Sequence, residues 1–116
     1  MNCKMLLLIV IMFGISWPAL AHAILLDATP AADSVVDGTR ISVRLRFNAR
    51  IDTRRSRLAL VNREGREYPL PIQDQRSPDT LATTAEDLSA GSYVIRWQVL
   101  ATDGHITRGE ISFRAR

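Results

Sequence analysis

From Ile41 to Phe47 the chain reads Ile-Ser-Val-Arg-Leu-Arg-Phe, with apolar and polar residues alternating without a break. Side chains two apart share a face of an extended strand, so this segment buries one face and wets the other. The run from Tyr93 to Val99 repeats the pattern, its odd positions apolar, and continues naturally to Ala101. Ile111 and Phe113 alternate with Glu110, Ser112 and Arg114 near the C-terminus. Helical periodicity is nearly absent beyond the first twenty or so residues, so the fold has to be built from strands.

Shorter strand candidates lie at Ile24–Ala28, Arg57–Val61, Glu67–Leu70 and Leu81–Thr84. Asn62-Arg63-Glu64-Gly65 reads as a hairpin connection between two of them. Pro30 to Asp33, Asp37-Gly38 and the polar stretch Gln73–Asp79 punctuate the rest. About seven strands in one small domain predict an all-β fold, an antiparallel two-sheet sandwich with Greek-key connections. Tyr93 opens its strand just after Gly91, the arrangement of a tyrosine corner. Trp97 shares the inward phase of that strand and belongs to the core, or packs beneath a functional site.

The N-terminus reads as an export leader. Lys4 supplies a weak positive region, and the apolar run Met5–Ile15 is eleven residues, short of the roughly 20 a membrane helix needs. Pro18 breaks the run ahead of Ala19-Leu20-Ala21, a small-x-small cleavage signal. Cleavage after Ala21 makes residues 1–21 a signal peptide and leaves a domain of residues 22–116. Cleavage after Ala23, or retention as an anchor, are the alternatives, and either removes the free amine from His22. Cys3 and all three methionines, Met1, Met5 and Met12, leave with the leader. The exported domain then has no disulfide, no thiolate and no thioether, which excludes a cysteine nucleophile and a soft cuprous site. Its 14 Arg against 12 Asp plus Glu give a net charge of +2. Arg50, Arg54, Arg55 and Arg57 form the one basic cluster, read as charged gatekeepers along a strand edge rather than as a nucleic-acid patch.

Processing after Ala21 makes His22 the first residue, offering a metal both an α-amine and an imidazole. The other histidine, His105, stands in Asp103-Gly104-His105. Residues two apart in an extended chain project to one side, and Gly104 permits a turn or bulge that aims both side chains at one point. His22, Asp103 and His105 together present three nitrogens and one carboxylate oxygen, a donor set suited to tetragonal Cu(II). An ordinary α-amine titrates near 8 and an ordinary imidazole near 6.5, so affinity for a metal should fall as pH drops. The plainer reading is a tight Asp-Gly turn followed by an exposed His.

At these residues the chain resembles the CopC family of periplasmic copper-resistance proteins. The similarity runs through His22-Ala23, Thr29-Pro30-Ala31-Ala32-Asp33-Ser34 and the Val43–Phe47 strand. It resumes at Gly91–Trp97, Ala101-Thr102-Asp103-Gly104-His105, Gly109 and Ser112-Phe113. The resemblance implies an immunoglobulin-like β-sandwich that binds one Cu(II) per monomer through an N-terminal histidine brace at His22, Asp103 and His105. It also implies a non-enzymatic periplasmic carrier or buffer, monomeric, acting beside a separate CopD-like inner-membrane copper transporter. Many relatives carry an acidic residue just after the Phe47 position, where this chain has Asn48-Ala49, so a second carboxylate is missing. The competing readings are a metal-free structural or interaction sandwich and, behind it, a histidine-brace copper oxidase.

Overall fold

A computed structural model describes residues 23–73 and 76–116, and every described element is a strand. In chain order these are β1 (Leu25–Thr29), β2 (Ser34–Val36), β3 (Ile41–Phe47), β4 (Ile51–Val61), β5 (Glu67–Leu70), β6 (Thr80–Ala85), β7 (Gly91–Ala101) and β8 (Ile106–Ala115). One sheet has the order β1-β3-β6 and the other β2-β8-β7-β4-β5. All pairings are antiparallel except that of β2 with β8. The result is the expected immunoglobulin-like sandwich. The expected leader, residues 1–21, and His22 lie outside the described residues.

The alternation in β3 becomes burial directly: Ile41, Val43, Leu45 and Phe47 are buried, while Ser42, Arg44 and Arg46 are exposed. From the facing sheet Tyr93, Ile95, Trp97, Val99 and Ala101 of β7 and Ile111 and Phe113 of β8 close the core. Burying both inner faces removes their apolar area from water, the main force holding two such sheets together. Trp97 is a core residue, set edge-on to Phe47 with ring centroids 5.2 Å apart. Tyr93 forms the expected corner, its hydroxyl donating to the Ser89 carbonyl at 2.8 Å and its ring stacked on cross-strand Phe113.

Among the described residues eight strands are present where about seven were expected. The additional one, β2, is three residues long and too short to show a period. It forms where the chain leaves one sheet for the other, through a cis Thr29–Pro30 bond. Two further strands are longer than their patterns suggest. β8 begins at Ile106, because the hairpin with β7 runs on from Ile111 through Leu100↔Ile106. β4 begins at Ile51, and its first half hides its period in a bulge: five residues from Asp52 to Arg57 advance against two of β7. Ser56 locks this bulge. Its hydroxyl donates to the Asp52 carbonyl at 2.6 Å and accepts the Leu100 N–H at 3.1 Å, which the skipped register would otherwise leave without an acceptor.

Arg54 and Arg55 of the arginine cluster lie in the same bulge, Arg57 ends it, and Arg50 precedes β4. β5 pairs only with Leu58–Val61, so the earlier half of β4 has one open edge, and Arg54 and Arg55 stand exposed on it. A bulge and like charges are two devices that stop an open edge from pairing with another chain. The gatekeeper reading accounts for their position.

Gly109 faces Trp97 across the β7–β8 ladder, and a Cβ on Gly109 would overlap the indole ring. An alanine there has to displace a buried ring wedged against Phe47. Gly109→Ala should therefore lower stability by about 1–3 kcal/mol, read as a fall in the urea midpoint. An alanine in a strand ordinarily gains over glycine, so an unchanged or raised midpoint would contradict this packing.

Candidate metal centre

β7 and β8 are joined by Thr102-Asp103-Gly104-His105. The Gly104 N–H donates to the Ala101 carbonyl and the Ala101 N–H to the His105 carbonyl, both at 2.9 Å. Gly104 has φ of 93°, the left-handed region where a three-residue hairpin loop places its last residue. The reversal brings the flanking side chains together. His105 Nδ1 lies 3.2 Å from Asp103 Oδ2, and the His105 N–H donates to Asp103 Oδ1 at 3.0 Å. The segment is a tight turn with an exposed His after it, as the plainer reading has it, and its Asp103 and His105 side chains are in contact.

That backbone N–H holds the Asp103 carboxyl below its ordinary 3.8, against the opposing effect of burial and with lesser help from the imidazole. A hydrogen bond made to the ionised form favours that form. The stabilisation it lends the turn is present above the ordinary carboxylate range and is lost only as pH falls through the lower folded value. Asp103 is thus an anion at any pH near neutrality. It can serve as an oxygen ligand or as the carboxylate that orients a ligating imidazole.

The turn docks onto the connection between β3 and β4. Phe47 and Ile51, both buried, bracket the three residues Asn48, Ala49 and Arg50, which cross from one sheet to the other. The Arg50 carbonyl accepts the Thr102 N–H at 3.1 Å. The start of the described chain is tied to the same crossing. Ala23 is 1% exposed within the core, the Ile24 N–H donates to Asn48 Oδ1 at 2.7 Å, and the Asn48 N–H donates to the Ile24 carbonyl at 3.0 Å. Residues 23–24 and 101–105, far apart in sequence, therefore share one three-residue anchor.

Of the three expected ligands, Asp103 and His105 are brought into contact, and His22 lies outside the described residues. Among the described residues no group of three or more His, Cys, Asp or Glu side chains converges. From sequence Asn48 enters near the expected site only as the position of a missing carboxylate, and nothing singles out Arg50 or Ser56 as parts of this end of the molecule. Asn48 had a faint signal, a polar residue directly after a strict strand. Arg50 acts through its carbonyl, which no side-chain pattern reveals.

An all-β sandwich with a hydrogen-bonded Asp-Gly-His turn tied to the same crossing as Ala23 and Ile24 defines the class. The CopC domain matches residues 25–116, and this chain belongs to the CopC family. The crystal structure of CopC from Methylosinus trichosporium OB3b is 31% identical in sequence with a TM-score of 0.76, covering 81% of this chain and 93% of that one. Copper resistance protein C of Escherichia coli is 25% identical over 115 residues, spanning 91% of this chain and 90% of its own. Protein YobA of Escherichia coli K12 is 27% identical over 99 residues, or 83% and 80%.

The space around Gly104 is open, with nothing within 4 Å of where a Cβ would stand. A substitution there is opposed by backbone conformation alone. Gly104→Ala should cost about 1–2 kcal/mol in thermal or urea unfolding. A loss near zero would mean that the loop relaxes out of the left-handed region and that its geometry is not held.

Proposed function

We propose that this protein is an exported Cu(II) carrier or buffer, with copper as its cargo and no catalytic step of its own. In this reading residues 1–21 are a signal peptide, the mature chain starts at His22 in the periplasm, and one cupric ion is held by the His22 amine and imidazole, His105 and Asp103. The observation that carries the proposal is the shared anchor, which ties the start of the domain and the Asp103–His105 turn to the same inter-sheet crossing. Kinship with proteins named for copper resistance supplies the choice of metal. A monomer handing its ion to a separate CopD-like membrane protein is the matching physiological role.

The composition favours the cupric state. The E. coli relative PcoC, 23% identical with a TM-score of 0.68, is described as a methionine-rich copper resistance protein. Here no methionine follows Met12 and the only cysteine is Cys3. The nitrogen and oxygen donors that remain suit Cu(II) rather than Cu(I).

Protein beginning at His22 should bind one Cu(II) per chain in a competition titration. Placing one extra residue before His22, or making His105→Ala, should weaken binding by at least about tenfold, the loss of roughly 1.4 kcal/mol or more of ligand interaction. Equal affinity of the extended protein would rule out the terminal amine as a ligand. Because Asp103 is already held ionised below 3.8, the fall in affinity between about pH 8 and pH 5 should come from protons competing for the nitrogen donors. A flat pH profile across that range would contradict the donor set.

A further inference from the structure

The sequence contains two Asp-Gly steps, Asp37-Gly38 and Asp103-Gly104. A glycine after aspartate has no Cβ to hinder attack by its own amide nitrogen on the preceding carboxyl carbon. At the first step the Gly38 nitrogen would bond to Asp37 Cγ, and the carboxyl hydroxyl and amide hydrogen would leave together as water. The product is a cyclic succinimide. Water reopens the ring at either carbonyl, restoring aspartate or leaving isoaspartate, whose main chain runs through the side-chain carbons. No other reactant is needed. In the turn between β2 and β3 these groups stand in the open: Asp37 is exposed, and nothing lies within 4 Å of a Cβ position on Gly38.

Arg116 closes on this step from both sides. Its guanidinium grips the two carboxylate oxygens, Nε donating to Asp37 Oδ1 at 2.8 Å and Nη2 to Oδ2 at 3.3 Å. Its main-chain oxygen accepts the Gly38 N–H at 3.3 Å, and its own N–H donates to the Val36 carbonyl at 2.9 Å. The parallel pairing of β2 with β8 ends just before, at Val36↔Ala115. Exposed ion pairs are ordinarily weak, partly because two free side chains must be ordered. Here the main chain on both flanks is already placed, which removes part of that cost.

We infer that Asp37-Gly38 is a site of isoaspartate modification and that Arg116 holds it shut in the folded domain. The guanidinium keeps the carboxyl turned toward itself and away from the Gly38 nitrogen, whose N–H is engaged by the Arg116 oxygen. Hydrogen bonding to Arg116, and then its charge, also hold Asp37 ionised below its ordinary 3.8 against the opposing effect of burial. A carboxylate lacks the hydroxyl that has to leave. Isoaspartate at this position would put an extra main-chain carbon between Val36 and Gly38, the two residues that tie Arg116. The modification would therefore loosen the end of β2 from β8, and Arg116 protects that pairing as the protein ages.

The test holds wild-type protein and Arg116→Ala at neutral pH for weeks, with isoaspartate counted at each position by electron-transfer fragmentation of proteolytic peptides. Arg116→Ala keeps both main-chain ties, so its unfolding midpoint should shift little. Isoaspartate at Asp37 should nonetheless accumulate about two- to fivefold faster, the range that loss of an exposed ion pair allows. Asp103-Gly104 stands at the far end of β8, ten residues and about 30 Å away, and its rate should not change. Equal rates at Asp37 in the two proteins would overturn the inference. So would a matching rise at Asp103, which would report loosening of the whole fold. Wild-type protein unfolded in guanidinium chloride supplies the unshielded rate without any substitution. Folded protein modified at Asp37 as fast as the unfolded chain would likewise overturn the inference.

Discussion

The three residues between Phe47 and Ile51 carry the geometry on which everything else at this end depends. They are the only chain joining β3 to β4, and so one of the crossings between the two sheets. Their flanking residues are buried, which fixes the crossing to the core from both sides. On one side Asn48 holds the start of the first sheet, and on the other Arg50 holds the β7–β8 turn of the second. Neither tie is a strong interaction singly, since a hydrogen bond contributes about 1 kcal/mol net. Their effect is positional: two segments nearly eighty residues apart in sequence are held to one short rigid link.

This arrangement explains why a β-sandwich suits a site of this kind. The sheets are stabilised by burial far from the turn, with Leu45, Leu81, Ile95 and Val99 fully enclosed. The end of the sandwich can then carry polar, half-exposed groups without weakening the fold. Asp103 and His105 satisfy one another in the hairpin, so the turn is held by its own hydrogen bonds. The arginine bulge in β4 belongs to the same end. It protects an open strand edge, and Ser56 keeps the distortion from disturbing the β7 backbone at Leu100.

Much of this was legible in the residues themselves. β3 and the inner face of β7 follow from strict alternation, Tyr93 as a corner follows from its place after Gly91, and Asp103-Gly104-His105 reads as a turn that pairs its flanking side chains. What escaped was structure without a period or a side-chain signature. β2 is too short to alternate, the first half of β4 loses its phase in a bulge, and the anchor works through an asparagine oxygen and a backbone carbonyl. Hydrogen bonds between distant loops depend on where the sheets place them, which no local pattern encodes.

The most direct test of the central claim is to count the nitrogens around bound copper in protein that begins at His22. Pulsed electron paramagnetic resonance on the one-to-one Cu(II) complex, with and without nitrogen-15 confined to the imidazole rings of histidine, separates imidazole from amine couplings. A single type of centre bearing two imidazoles and one amine is the result this account predicts. Coupling to one imidazole alone, or a mixture of centres, would mean that the crossing at Asn48–Arg50 does not bring the two ends of the domain to one ion.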